Sequence, residues 1–194
     1  MSSSRSRRQV RLSRALGIPL TPKAVRYFER RAESDYAVRL KEKQRLRAQY
    51  GIREAQLQRV FKEARREKGL TGESLVELLE MRLDALVLRS GFARTIAQAR
   101  QNVVHRHILV DGRVVDRPSF RVKPGQIIQV RPRSQVMTPF QIAAAGAHRD
   151  VLPPVPDYLR VELEKLSATL VRRPKRDEVP VTCDVQMVVE YYSR

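Results

Sequence analysis

The chain has 194 residues, which suits one medium domain or two small ones, and 42% of them are hydrophobic, enough for a core and against global disorder. It holds 39 Lys+Arg against 21 Asp+Glu, a formal net charge of +18, which repels itself until a polyanion neutralises it. A single cysteine, Cys183, leaves no internal disulfide and no cysteine-rich metal site, and no apolar stretch nears the ~20 residues that cross a bilayer. The opening MSSSRSRRQVR has no apolar segment of the secretory kind, so the reading is cytoplasmic, with no membrane partner.

The cations are 31 Arg and 8 Lys. A guanidinium is planar, permanently charged, able to grip a phosphate through two hydrogen bonds and able to stack on a base, so the bias favours nucleic acid over mere solubility. The charge is also uneven. Residues 1–68 carry 20 basic and 7 acidic residues, residues 69–134 carry 11 and 6, and residues 135–194 carry 8 and 8. The polyanion is expected on the first two thirds, with the last third structural.

Residues 1–33 are basic, and Gly17, Pro19 and Pro22 break up their periodicity, so they read as an extended arm. A helix starts at Ser34 and ends at Gly51, with Tyr36, Leu40, Leu46 and Tyr50 as a partial apolar face. A second runs to Lys68 on the stripe Leu57, Val60, Phe61 and Ala64. From Thr71 or Ser74, where Ser74 and Glu77 have capping-box spacing, leucines recur at helical period to Gly91, as one bent helix or two. Thr95 and Gln98 repeat that spacing, and Ile96, Ala99 and Val103 mark the buried side of a short helix.

The period then switches to two. Ile108 and Val110 lead into Asp111-Gly112, a two-residue hairpin signal, and Val114 and Val115 follow. Phe120 and Val122 suggest a strand that a type II turn at Lys123-Pro124-Gly125-Gln126 joins to Ile128 and Val130. A looser stretch runs from Pro132 to Pro156. Leu159, Val161 and Leu163, then Leu166, Ala168 and Leu170, alternate as strands. The tail from Cys183 to Tyr192 is β-branched, yet Val185, Val188, Val189 and Tyr192 share one helical face. Cys183, His105 and His107 suggest no metal, and the two histidines read as solvent- or RNA-facing.

The informative unit is helix, turn, helix, β-hairpin between Arg82 and Arg131. Its short second helix presents Arg94, Gln98, Arg100, Gln101 and His105 opposite its apolar side, and such donors suit phosphate and 2′-hydroxyl oxygens. A pair with a carboxylate such as Asp84 is the structural alternative for Arg100. Arg82-Leu83-Asp84, Gly91-Phe92-Ala93, Ala99-Arg100-Gln101, Ile108, Val110, Gly112 to Val115 and Ser119 to Gly125 resemble the RNA-binding module named after the S-four ribosomal protein. Tyrosyl-tRNA synthetases, pseudouridine synthases and heat-shock proteins resemble that module too. The flanks Ser34-Asp35-Tyr36, LKEKQRLRAQYGI, Thr71-Gly72-Glu73, VPDYLRVELEKL and VVEYYSR resemble the bacterial small-subunit ribosomal protein S-four (uS-four) family itself. Members usually carry a basic Pro/Gly/His-containing segment, and some carry zinc cysteines, before the Ser-Asp-Tyr element. Here Glu33 follows Arg30-Arg31, which implies the zinc-free form with that segment shortened. The arginine common after Ser/Thr in the module is Ile96, with Arg94 placed to compensate.

The resemblance implies an α+β protein: a helical N-terminal domain plus an inserted αβ RNA-binding module, two short helices packed on a small antiparallel sheet. The expected divisions are an arm over 1–33, a helical domain over 34–81 with 180–194, and a domain over 82–179 whose core is 82–131. The implied function is structural: early, direct binding of 16S ribosomal RNA, nucleating the 5′ domain, beside small-subunit proteins such as S-five and near messenger RNA. No cofactor and no catalysis are expected. The candidate RNA contacts are Arg39, Lys43, Arg45, Arg47, Arg65, Arg66, Arg94, Thr95, Gln98, Arg100, Gln101, His105, Arg106 and Arg113. The alternatives are an RNA-modifying enzyme and a regulatory RNA-binding protein acting off the ribosome. Against an enzyme stands the lack of a nucleophile–base pair, a phosphate loop or a metal cluster.

Overall fold

A computed structural model of the chain describes residues 4–18, 20 and 34–193. They fall into two units, the first made of Met1–Ser74 with Val181–Arg194 and the second of Leu75–Pro180.

The first unit is helical. Helix α1 spans Ser4–Leu16, α2 Asp35–Gln49 and α3 Glu54–Ala64. The segment expected as an extended arm is therefore helical over its first half. Its run of Arg, Gln, Leu and Ala favours a helix, and the breakers Gly17 and Pro19 stand after it instead of inside it. Ser13, Leu16 and Ile18 are buried, and the Leu20 amide donates to Ser13 Oγ at 3.1 Å. The remainder of the expected arm, residues 1–3, Pro19 and residues 21–33, lies outside the described residues.

Ser34 caps α2 by accepting from the Ala37 amide at 3.3 Å. Gly51, at φ 59°, ends it. There the Gly51 amide donates to the Ala48 carbonyl and the Ile52 amide to the Arg47 carbonyl, a Schellman closure. On α3 the stripe Leu57, Val60, Phe61 and Ala64 is buried as its spacing predicts. The tail forms helix α9, Val185–Ser193, the last element of the first unit, packed against α2. Gln49 and Thr182 exchange two hydrogen bonds of 3.0 Å, and Arg39 reaches Glu190 at 2.8 Å. A methyl group on Gly72 would come within 3.0 Å of Val185, so a glycine lets the chain pass there. The β-branched composition of the tail thus yields to its 3.6-residue apolar face.

Helix α4, Thr71–Glu80, begins in the first unit and ends in the second, and α5 spans Leu83–Arg89. The leucine run is therefore two helices, broken at Met81-Arg82. The break is filled from residues 118–122: the Leu83 amide donates to the Phe120 carbonyl at 2.8 Å and the Val122 amide to the Met81 carbonyl at 2.9 Å. That overturns the strand expected at Phe120–Val122. Its backbone groups serve the helix break, with one bridge between Arg82 and Arg121, and so do not pair with Ile128 to Val130.

Helix α6 spans Ile96–Val104. Strands β1 Ile108–Val110, β2 Arg113–Val114, β3 Ile127–Val130, β4 Leu159–Glu162 and β5 Ser167–Leu170 form one antiparallel sheet in the order β2-β1-β3-β5-β4. Asp111 and Gly112, at φ 49° and 75°, make the expected hairpin turn. The Lys123–Gln126 turn also forms, closed at 3.1 Å with Gly125 at φ 89°, but it leads into β3, whose partners are β1 and β5. Leu163 leaves the strand for a 3-10 turn, and Leu166 adopts φ 47°.

One sheet face buries Ile108, Val110, Ile128, Val130, Ala168 and Leu170. The helices add Leu83, Leu86, Val87, Ala99 and Val103 to the core of this unit, each buried leucine or valine contributing roughly 1.5–3 kcal/mol. Ile96 is only half-buried, and Asn102 takes the buried place with its side chain directed to the Phe92 carbonyl. The stretch read as loose contains two short helices, α7 Pro132–Gln135 and α8 Thr138–Ala144, each with proline in its first turn. The fold is α+β.

Candidate nucleic-acid interface

In the second unit the candidate site is built around α6. Thr95 accepts from the Gln98 amide at 3.2 Å, as its spacing predicts. Gln98 answers one residue further out, accepting from the Arg94 amide at 2.8 Å instead of from Thr95. Two N-terminal amides are thereby satisfied, and Gln98 is committed to its own backbone. Arg94 stands exposed where the helix presents its positive end. Gln101, His105 and Arg106 are exposed along the same helix and its end, and Arg113 is exposed at the hairpin. Arg106, at φ 62°, pairs with Asp116 at 3.2 Å, an exposed contact of little energetic weight.

Arg100 is different. Its Nη2 donates to Asp84 Oδ2 at 2.9 Å. Asp84 is wholly buried and also accepts two hydrogen bonds from Arg82, at 2.9 and 2.8 Å, and one from the Ala85 amide. Two guanidinium groups share one carboxylate, so the trio keeps one net positive charge, on the side where Arg100 stays one-third exposed. The carboxylate partner weighed for Arg100 is present. His107 also turns inward: Nδ1 lies 2.8 Å from Ser134 Oγ, and the ring meets Phe140 edge-on. Burial, then His105 and Arg131, hold its pKa below the usual histidine value.

In the first unit the four α2 candidates all pair with a glutamate, and Arg47 keeps 35% of its side chain exposed. Arg39 pairs with Glu190. Lys43 is buried, donates to Glu54 at 3.1 Å and sits 4.2 Å over the Tyr191 ring. Arg45 is held by Glu42 and the Leu16 carbonyl, and Arg47 lies 3.6 Å from Glu54. Burial alone would raise the Glu54 pKa, but hydrogen bonds from Tyr192 and Lys43 outweigh it and hold the carboxyl below its ordinary value. Lys43 is therefore a core residue and not an open contact, because α9 and the start of α3 cover its side of α2. Arg65 and Arg66 are exposed.

Sequence reasoning missed Arg59 and Lys62, exposed on α3 beside Arg65 and Arg66; none of the four has a carboxylate partner among the described residues. It also passed over Arg117, Lys123 and Arg133, all exposed in the second unit. The signal was available: from Arg117 to Arg149 the chain has six Arg or Lys and no Asp or Glu. Among the described residues no three His, Cys, Asp or Glu side chains converge as a metal site, and no helix is long and apolar enough to cross a membrane.

A basic α+β chain with open arginines on a short helix beside a β-hairpin is of the RNA-binding class. Residues 81–128 match the S4 domain, and residues 17–80 match the ribosomal protein S4/S9 N-terminal domain. The chain is 76% identical to the small ribosomal subunit protein uS4 of Beutenbergia cavernae, over 100% of this chain and 99% of the relative. It is 70% identical to uS4 of an Arthrobacter species over 100% and 99%, and 68% identical to uS4 of Clavibacter michiganensis over 99% and 98%. The chain belongs to the small ribosomal subunit protein uS4 family, whose members are ribosomal proteins and not enzymes.

Proposed function

We propose that this chain is a structural protein of the bacterial small ribosomal subunit that binds 16S ribosomal RNA directly and early, at a helix junction of the 5′ domain, and so nucleates folding of that domain. It works in the cytoplasm as part of the ribosome. The observation that carries the reading is the pair of exposed arginines in the second unit without carboxylate partners among the described residues, Arg94 at the start of α6 and Arg113 at the hairpin, both inside the S4 domain. Phosphates from separate RNA helices repel each other, and cations fixed on a folded frame lower the cost of bringing them together. Arg59, Lys62, Arg65 and Arg66 form a second set on the first unit. Both sets are mounted on short rigid elements, so each presents fixed positive charge to the backbone instead of reading base sequence.

The family resemblance extends the proposal to contacts with the neighbouring protein S-five and with messenger RNA. It also extends to a division into folding domains, 34–81 with 180–194 and 82–179. A regulatory role off the ribosome is the rival reading; it predicts preference for a non-ribosomal RNA. The experiment is binding of the purified chain to naked 16S RNA, to its isolated 5′ domain and to 23S RNA, with no other protein present. Tight binding to the first two and weak binding to the third is the expected result. Equal binding to all three, or a need for another protein first, overturns it.

A further inference from the structure

Within the second unit, between the end of α5, the turn after α8 and the loop that leads into β4, lies a cavity of about 430 Å³. That volume falls in the roughly 300–1,000 Å³ range of ligand sites. Ala143 and His148 are buried in its floor, and Arg149, Pro153, Pro154 and Val155 stand exposed at its rim. Val161 and Leu163 extend the apolar wall.

The lining has no aspartate and no glutamate. Arg89, on one wall, is held by buried Glu80 at 2.6 Å. Arg149 has no carboxylate partner among the described residues. It lies against Gly146, where an added methyl group would sit 3.3 Å from Arg149 Nε. Gly146 has φ 74°, so the glycine both makes the turn after α8 and leaves room for the guanidinium along the wall. His148 Nδ1 lies 2.9 Å from the Gly91 carbonyl oxygen, which can only accept. In its neutral form the ring therefore carries its proton on Nδ1 and keeps Nε2 as an acceptor.

An occupant that matches these walls has apolar faces, a hydrogen-bonding edge and an attached negative charge. A nucleobase with its phosphate has all three: prolines and aliphatic side chains pack on the faces of a base, and a guanidinium holds the phosphate or stacks. We propose that this cavity receives one unstacked base of the bound RNA, with the adjoining phosphate on Arg149. The inference rests on the RNA-binding reading above. A docked acidic protein segment would want several open cations along the cavity; among the described lining residues Arg149 is the one cation without a carboxylate partner.

The test uses the full chain and 16S RNA transcribed with 4-thiouridine and 6-thioguanosine, photocrosslinked and then mapped by mass spectrometry of the protein. Crosslinks in residues 149–156 are expected. Arg149→Ala and Val155→Asp change exposed positions, so the fold should survive, as circular dichroism would verify. Each should remove those crosslinks and weaken binding by about tenfold. Wild-type affinity in both variants, with crosslinks confined to residues 94–113, overturns the base site and leaves the RNA-binding reading standing. Failure of the wild-type chain to bind 16S RNA at all overturns both. Variants that bind RNA normally but lose a neighbouring protein from reconstituted small subunits assign the cavity to a protein segment, and the proposal falls.

Discussion

Arg100 Nη2 lies 2.9 Å from Asp84 Oδ2, on a carboxylate with no exposed surface that already holds Arg82. The pair joins α6 to α5 and fixes the direction in which the Arg100 guanidinium leaves the surface. It also divides two arginines that look equivalent in sequence: Arg94 is open, and Arg100 is partly structural.

Asp84→Ala should therefore be strongly destabilising. Arg82 is 4% exposed and would keep a buried charge without its partner, at about 3–5 kcal/mol. Arg100→Ala loses the charged hydrogen bond to Asp84 at a partly exposed site and should cost ~1–2 kcal/mol. Arg94→Ala should stay within about 0.5 kcal/mol of the parent while weakening RNA binding. Urea unfolding of the three variants checks the order. Equal stabilities would mean that the Asp84 contacts contribute nothing.

Affinity for RNA should fall steeply with salt. If the open arginines supply about 6–10 phosphate contacts, the association constant drops by roughly 10³–10⁵ between about 50 and 200 mM salt. Filter binding across that range measures the slope. A flat response would remove arginine–phosphate contacts as the main source of affinity.

The tail should stabilise the first unit alone. Val185 and Val188 are buried, Tyr192 packs on Phe61 at 4.7 Å between ring centres, and its hydroxyl donates to Glu54 at 2.7 Å. Deleting residues 183–194 should lower amide protection over residues 36–64, while residues 95–131 stay protected. Hydrogen exchange read by mass spectrometry reports both. Protection lost chiefly in residues 95–131 would contradict the packing of α9 on α2.

Acid should weaken the second unit through His107. Its folded pKa is depressed below 6.5 by burial first, so the unfolded chain takes up a proton more readily than the folded one. Stability from this residue is complete above about pH 6.5. It declines as the pH falls below that value, and the decline stops once the folded ring is itself protonated. An NMR titration should place His107 below 6.5, and His107→Gln should flatten that part of the stability profile. A ring that titrates at or above 6.5 would contradict the burial argument.

Features that depend on neighbours in the chain were legible in the sequence. Ser34 and Thr95 cap their helices, Asp111-Gly112 turns its hairpin, and the face of Val185, Val188, Val189 and Tyr192 makes the tail a helix. Each is decided within one or two turns by side chains a few residues apart, and the net charge with the module's residue pattern announced the partner class and the family. The tertiary structure alone decided which cations are free. Arg39 meets Glu190 across 151 residues, and Lys43 meets a tyrosine ring of the returning tail, so four basic residues that spacing puts on a polar face are paired within the fold, Lys43 buried and Arg47 partly exposed. It also decided that residues 118–122 fill a helix break and that β3 pairs with β1 and β5. Periodicity reports which side of an element is apolar; it carries no term for a distant carboxylate or for which strand lies alongside, and those contacts separate a structural arginine from one left open to RNA.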